Sequence, residues 1–515
     1  MPRRVSEKRN PNDLDAWILG SGIASLAVAV HLIQEAKVPP SRIHILETLE
    51  SAGGGTATYG DPVSGYHYRA GAMPTFNRTC MERLLSLVPS KMDPEKTVLD
   101  DMMEINRSKP PSKNPRTRFL ERKPWGVERS NTKNTGLGLR DHMDLFILGF
   151  NSERRLARSR ISVYFRKSFF QSNYWLLLAT TCGFQPWHSL VEFRRYVQQF
   201  RNGNHRLDHA RQLDFGRYNT HESVVAPLVH FLLSRGVDFR FRTTVTDITF
   251  DPSHQQVSTI CAVRENEPQT TIEVRQQDIV VVSVGSVMSG ATTGTNNFPP
   301  SLELMETDND LDDNWLLWLE LSTKDSRFGN AYNFCTRICE SRQESFTVTL
   351  KSTQFFERFI QLTGDEPGTG AFVTLKHSSW LLTLSLPQQP LFPDQPVDMQ
   401  VFWGYAAFPE KEGDYVKKPM LKCSGKEIMT EILHQLQFPI EPILQESITI
   451  PCVMPRRTAP LLPRDYCDRP RVIPDGMRNM AMVGQFVDIP DEMSVSMDYC
   501  VRGAQMAVDH LMGLG

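Results

Sequence analysis

At 515 residues the chain exceeds what one hydrophobic core usually serves, so two or three domains are expected. Hydrophobic residues make up 40% and charged residues 23%, an ordinary globular composition, and a formal net charge of -2 argues against a nucleic-acid partner. No apolar run of about 18 residues predicts a transmembrane helix, and the nine cysteines include no C-x-x-C pair, which predicts reduced thiols and a cytoplasmic protein. Residues 1–14 mix Arg, Lys, Glu and Asp without an apolar core and read as a flexible tail.

The stretch AWILGSGIASLAVAVHLIQE (16–35) predicts a short strand, a glycine-rich turn and an amphipathic helix. Gly20 permits the tight turn. Gly22 lets backbone approach a pyrophosphate at the helix N-terminus, and Ser25 replaces the third glycine of G-x-G-x-x-G, which packs helix on strand. RIHILE (42–47) predicts a second strand, with Ile43 and Ile45 alternating with polar neighbours. It ends on Glu47, 27 residues after Gly20, where an acid accepts hydrogen bonds from both ribose hydroxyls. A second glycine cluster, SAGGGTA (51–57) with Gly53 and Gly54, favours FAD over NAD, because backbone must pass a longer cofactor.

Residues 104–160 are polar and arginine-rich, and 104–199 read as an irregular or helical excursion. Their basic run RTRFLERKPWGVER (116–129) reads as a solvated loop in preference to a phosphate- or lipid-headgroup-binding patch. QDIVVVSVGS (277–286) predicts a buried parallel strand. FTVTLKSTQFFERFI, GAFVTLKHSSWLLTLSL and MQVFWGYAAF alternate as an antiparallel sheet does, and RNMAMVGQFVDIP (478–490) predicts a further strand before a C-terminal helix. The expected fold class is α/β. A doubly wound, Rossmann-like FAD-binding domain is assembled discontinuously from residues 15–103, 200–300 and 470–515, with an inserted mixed α+β substrate domain at 301–469. Neither a second dinucleotide motif nor a metal site is expected.

Taken together, GSGIASLAVAVHLI, RIHILE, GFQPWHSLVEFRRY, RYNTHESVVAPLV, SFTVTLKSTQFF, WGYAAFPEKEGDYVKKPM, DRPRVIP and MVGQFVDIP…DYCVRGAQMAV resemble the oleate hydratase family, also called myosin-cross-reactive antigen proteins, in family order. The resemblance covers about residues 15–512. It implies an FAD enzyme that adds water across the cis double bond of a long-chain unsaturated fatty acid. The flavin then serves a mainly structural and electrostatic role. The resemblance also implies a homodimer and allows peripheral membrane contact. Family chains usually continue beyond AQMAV, so the stop at Gly515 implies a more open substrate entrance.

Residue by residue, the resemblance puts Arg69, Gly71, Val245, Ser283, Gly285, Gly484 and Gln485 beside the cofactor, with the glycines and Glu47 named above. Tyr196, the last residue of GFQPWHSLVEFRRY, takes the role of proton donor. The family's catalytic glutamate, in a segment resembling R-G-G-R-E-M, falls on Met73, and Ala72 replaces the second arginine. Methionine neither positions a proton nor polarises water. Glu82 lies further on, in a predicted helix that faces elsewhere. Thr220 stands where the family often has glutamine. Thr458 matches a threonine near the fatty-acid carboxylate, with Arg456 and Arg457 beside it, and an arginine can hold a carboxylate bidentately. Trp187 and His188 are expected to be structural. Three activities stay open: a hydratase, an FAD-dependent double-bond isomerase or oxidoreductase acting on a specialised metabolite, and a flavin- or lipid-binding protein without turnover.

Overall fold

The computed structural model describes residues 8–514 apart from 69–78, 92, 109–115, 131, 133, 203–215, 303–310, 312, 370 and 371. Its centre is a five-stranded sheet in the order Met480–Val483, Ile279–Ser283, Ala16–Leu19, Ile43–Leu46, Asp238–Arg240, with every pairing parallel. Its central strands are near-continuous apolar runs because both faces are covered. Val280, Val281 and Val282 are wholly buried. The Ile23–Gln34 helix packs against the Met497–Met512 helix, and small residues on both, Ala27 and Ala504 among them, are buried in a shared core. The parallel sheet therefore draws strands from the N-terminal, middle and C-terminal parts of the chain.

A second, eight-stranded sheet is mostly antiparallel and runs from Thr292–Thr293 at one edge to Gly126–Arg129 at the other. Its central strands are Gln343–Leu350, Gln400–Ala406 and Ser447–Met454. Alternate residues face opposite ways. Phe346, Val348 and Phe402 pack with the Gln354–Thr363 and Gly425–Leu436 helices. The opposite face meets the Gly65–His67 strand, where the Tyr66 and Tyr68 backbone N–H groups donate to Thr349 and Thr347 Oγ1 at 2.9 and 3.0 Å.

Two expectations change. The basic run is not a solvated loop: residues 119–129 form the hairpin of Phe119–Lys123 and Gly126–Arg129 and join the eight-stranded sheet. Arg118 at its start is buried, with Nε donating to the Phe372 carbonyl at 3.0 Å and Nη2 to Thr181 Oγ1 at 2.7 Å. The Asp313–Lys324 helix, drawn into the substrate domain by sequence, packs instead on the cofactor side. Trp315 and Trp318 stack there at 5.4 Å and both meet Phe486. A third, helical core gathers Phe165, Phe169, Trp175, Phe193 and Tyr196. Among the described residues no helix is long and apolar enough to cross a membrane.

Candidate active site

Four parallel strands deliver their next residues into one cleft: Gly20 follows Leu19, Glu47 follows Leu46, Val284 and Gly285 follow Ser283, and Gly484 follows Val483. Ligands of open α/β sheets sit at such carboxyl ends. Gly20, Gly285 and Gly484 have φ of 95°, 66° and 112°, which side-chain-bearing residues rarely adopt. A Cβ on Gly20 would lie 3.3 Å from Ser283 Cβ, so these two predicted cofactor residues adjoin.

Gly22 is the N-cap of the Ile23–Gln34 helix, and no side chain caps that end. The helix's first N–H groups and its positive dipole end are thus offered to an anion. A Cβ on Gly22 would meet nothing within 4 Å, whereas one on Gly54 would come within 3.3 Å of Gly22 Cα. The two glycine segments therefore touch through backbone. Gly53 is equally constrained: its Cβ would meet Val225 Cγ1 at 3.0 Å and His221 Cε1 at 3.2 Å. Thr220 precedes that histidine, at the N-cap of the single π-turn His221–Val225. Ser25 is fully buried with no partner for its hydroxyl, consistent with a small residue at a helix–sheet contact.

Glu47 is buried. Its Oε2 accepts from Ser21 N at 2.8 Å and Ser21 Oγ at 2.5 Å, and Oε1 accepts from Leu49 N at 2.8 Å. A recess beside it is lined by Gly20, Glu47, Val245, Asp313 and Asn314. An uncapped helix start, a touching glycine backbone and an acid beside a recess fit the adenosine and pyrophosphate of FAD.

Tyr196 lies on the Leu190–Asn202 helix and is 2% exposed. Its ring packs edge-on against Phe184 at 4.9 Å. Burial pushes the phenol well above its ordinary pKa, while the Val495 backbone N–H works against that. One turn earlier, Glu192 sits in a buried charge network. It takes Arg464 at 3.1 Å, Arg469 at 3.4 Å and Ser494 Oγ at 3.0 Å. Burial opposes its ionisation, but Arg469, Arg195 and Arg464 outweigh that and hold it down to about 2. This acid is fully engaged and is no substitute base.

The loop after Ser447–Met454 carries Arg456, Arg457 and Thr458. Arg456 is buried, with Nε donating to the Cys335 carbonyl at 3.0 Å and Nη1 to the Ser289 carbonyl at 3.3 Å. Thr458 Oγ1 donates to the Ser341 carbonyl at 3.0 Å and lies 3.4 Å from His188 Nε2. His188 accepts from Gln185 N through Nδ1 at 3.0 Å, and burial pushes its pKa down to about 3, so it is a neutral structural ring. Burial pushes the pKa of Arg457, between these anchors, below its ordinary value, and the phenols of Tyr196, Tyr68 and Tyr405 act against that.

The MCRA family's sequence pattern matches residues 13–508. The chain belongs to the MCRA family. An oleate hydratase from Streptococcus pyogenes is 31% identical, across 97% of this chain and 86% of its own length. A linoleate hydratase from Lactiplantibacillus plantarum is 27% identical, across 97% and 94%. Among solved structures, cyclohexylamine oxidase from Brevibacterium oxydans and a redesigned putrescine oxidase share the fold. Each has a TM-score of 0.54, at 14% and 12% identity, covering 97% of this chain and 99% of its own.

In this MCRA-family chain the cleft unites Gly20, Gly22, Glu47, Gly53, Gly54, Val245, Ser283, Gly285 and Gly484, with Gln485 next in the chain. Arg69, Gly71 and Met73 lie outside the described residues. Glu82 is partly exposed on the Thr79–Ser86 helix. Sequence reasoning missed the tyrosine wall. Trp403 and Tyr405 share one face of the Gln400–Ala406 strand, and Tyr68 packs against their cluster, its ring 6.2 Å from that of Trp403. The i, i+2 spacing of the two aromatics was the available signal.

Proposed function

We propose that this protein is an FAD-dependent hydratase adding water across the double bond of a long-chain unsaturated fatty acid. The observation that carries this reading is a buried phenol, Tyr196, in a chain related to hydratases over 97% of its length. FAD would be held by Gly20, Gly22, Glu47, Gly53, Gly54, Val245, Ser283, Gly285, Gly484 and Gln485, and when bound would line the site with a polarisable ring system. Arg69 and Gly71 are assigned to the same cofactor by family resemblance. Protonating an alkene builds positive charge on carbon, and a water-excluding site strengthens every interaction with that charge. Tyr196 donates the proton. Thr220, beside the glycine cluster, is the threonine we assign to substrate. Thr458 serves the loop, since its hydroxyl is already bonded to Ser341.

Tyr196→Phe should cut turnover by about 100-fold or more while leaving flavin binding unchanged. An unchanged rate removes Tyr196 from the mechanism. Met73 at the family's glutamate position favours a second reading, isomerisation or redox chemistry on another unsaturated molecule. Product mass separates the readings: hydration adds one water, isomerisation adds nothing and oxidation removes two hydrogens.

A homodimer and contact with membranes belong to the same proposal. The Leu139–Phe150 helix supports the second. Leu139, Met143, Phe146, Ile147 and Phe150 lie on one face and are 89, 62, 55, 47 and 73% exposed. Arg154, Arg155, Arg166 and Lys167, which follow the helix in the chain, are exposed. An apolar stripe with basic residues after it suits an anionic bilayer surface. Replacing Leu139, Phe146 and Phe150 together by serine should weaken binding to phosphatidylglycerol vesicles about tenfold or more. Unchanged co-sedimentation would contradict the assignment, and loss of a dimer instead would give the face to self-association.

A further inference from the structure

We infer that Asn314 holds one hydroxyl of the adenosine ribose of FAD, the one for which Glu47 has no room. The inference rests on FAD occupying this cleft and is independent of the reaction carried out there. The Asp313–Lys324 helix lies far from the dinucleotide motif in the chain, yet its first turn helps to close the recess beside Glu47. Two ties fix that turn. Thr244 Oγ1 donates to Asp313 Oδ2 at 3.1 Å, which joins it to the Thr243–Phe250 strand that carries Val245. Trp315 Nε1 donates to the Ser286 carbonyl at 2.9 Å, which joins it to the loop after Ser283. Asn314 lies between the two ties. A Cβ on Gly20 would stand 3.5 Å from its Oδ1 and 3.6 Å from its Nδ2, so the amide lies over the glycine turn.

The polar side chains lining the recess are those of Glu47, Thr48, Thr243, Asp313 and Asn314. Four have partners: Glu47 takes Ser21 and Leu49, Asp313 takes Thr244, Thr243 donates to the Phe241 carbonyl at 3.1 Å, and Thr48 lies 3.5 Å from Thr244 Oγ1. Among the described residues the Asn314 amide makes no hydrogen bond. It is a held group with nothing yet to hold.

Counting the sites on Glu47 says what it would hold. A ribose presents two adjacent hydroxyls, and a carboxylate offers about four acceptor sites, shared between its two oxygens. Oε2 already takes Ser21 N and Ser21 Oγ, and Oε1 takes Leu49 N, so these donors leave room for one hydroxyl. The other needs a different partner, contrary to the expectation from sequence that this acid serves both. Glu47 is bonded to Ser21 and Asn314 lies over Gly20, so acid and amide flank one step of the backbone and line one recess. An amide oxygen accepts and its nitrogen donates, so it suits a hydroxyl whichever way the proton turns. It also adds no negative charge beside Glu47 and a pyrophosphate.

The test titrates the full chain, freed of flavin, with FAD, with ADP and with the 2′-deoxy and 3′-deoxy forms of ADP, by calorimetry. In wild type the loss of either hydroxyl should weaken binding about fivefold, the size of one hydrogen bond. Asn314→Leu keeps the bulk and brings neither donor nor acceptor, and it should weaken FAD and ADP by about the same factor. In that variant the penalty for one deoxy form should vanish and the penalty for the other should persist. A residue that only shaped the helix would lower all affinities equally and leave both penalties in place. Both penalties intact in the folded variant therefore overturn the inference. A wild type in which only one hydroxyl matters overturns it too, whether or not the variant folds. A wild type that takes neither FAD nor ADP removes the cofactor from the cleft and this inference with it. FAD uptake by wild type and variant with equal affinity removes Asn314 alone and leaves the cofactor reading standing.

Discussion

Purified Gly22→Val protein is expected to fold as wild type does and to carry no flavin. Gly22 has a φ of -66°, which valine adopts without strain, and its Cβ would enter open space. That space lies at the uncapped start of the Ile23–Gln34 helix, where a pyrophosphate needs close backbone approach. The valine methyl groups would stand in its path. Gly54→Ala is the contrasting variant. It would combine a φ of 55° with a 3.3 Å approach to Gly22 Cα and so destabilise the apoprotein as well. Visible flavin absorbance and the apoprotein's melting curve separate the two. A yellow Gly22→Val protein would remove the cofactor from this turn.

Glu192→Ala should lose about 3–5 kcal/mol of stability, because Arg469 would be left buried without its acid and Arg464 would keep only Asp488 at 3.4 Å. The pH dependence has a definite sign. Glu192 is held near 2 in the folded chain against 4.5 for an ordinary glutamate. Its stabilisation is present above about pH 4.5 and is lost as pH falls towards 2. Urea unfolding at a series of pH values should show wild type losing stability across that window more steeply than the variant. Parallel curves would contradict the network's role. Because Tyr196 is one helical turn from Glu192, the variant should also perturb turnover before it unfolds.

The parallel sheet was legible because strands covered on both faces leave unbroken apolar runs, as IVVV at 279–282 does. The glycine turn was legible because backbone geometry, rather than packing, dictates those residues. Less visible was anything decided by long-range pairing. The 119–129 hairpin lies at a sheet edge, so its many charged residues mask Phe119 and Leu120, which are buried in cores on opposite faces. The Asp313–Lys324 helix shows no sign in its own sequence of which core will take Trp315 and Trp318. Sequence singled out Thr458 and its neighbouring arginines as a group. Only the folded loop divides them, tying Arg456 and Thr458 to backbone carbonyls.

The most direct measurement is mass spectrometry of the products formed by FAD-loaded protein from oleic and linoleic acids, with and without flavin reduction. The account predicts the gain of one water on the acid, abolished by Tyr196→Phe. Recovery of isomerised, dehydrogenated or unchanged acids under both conditions would contradict it, and would make Met73 the mark of a different reaction on this fold.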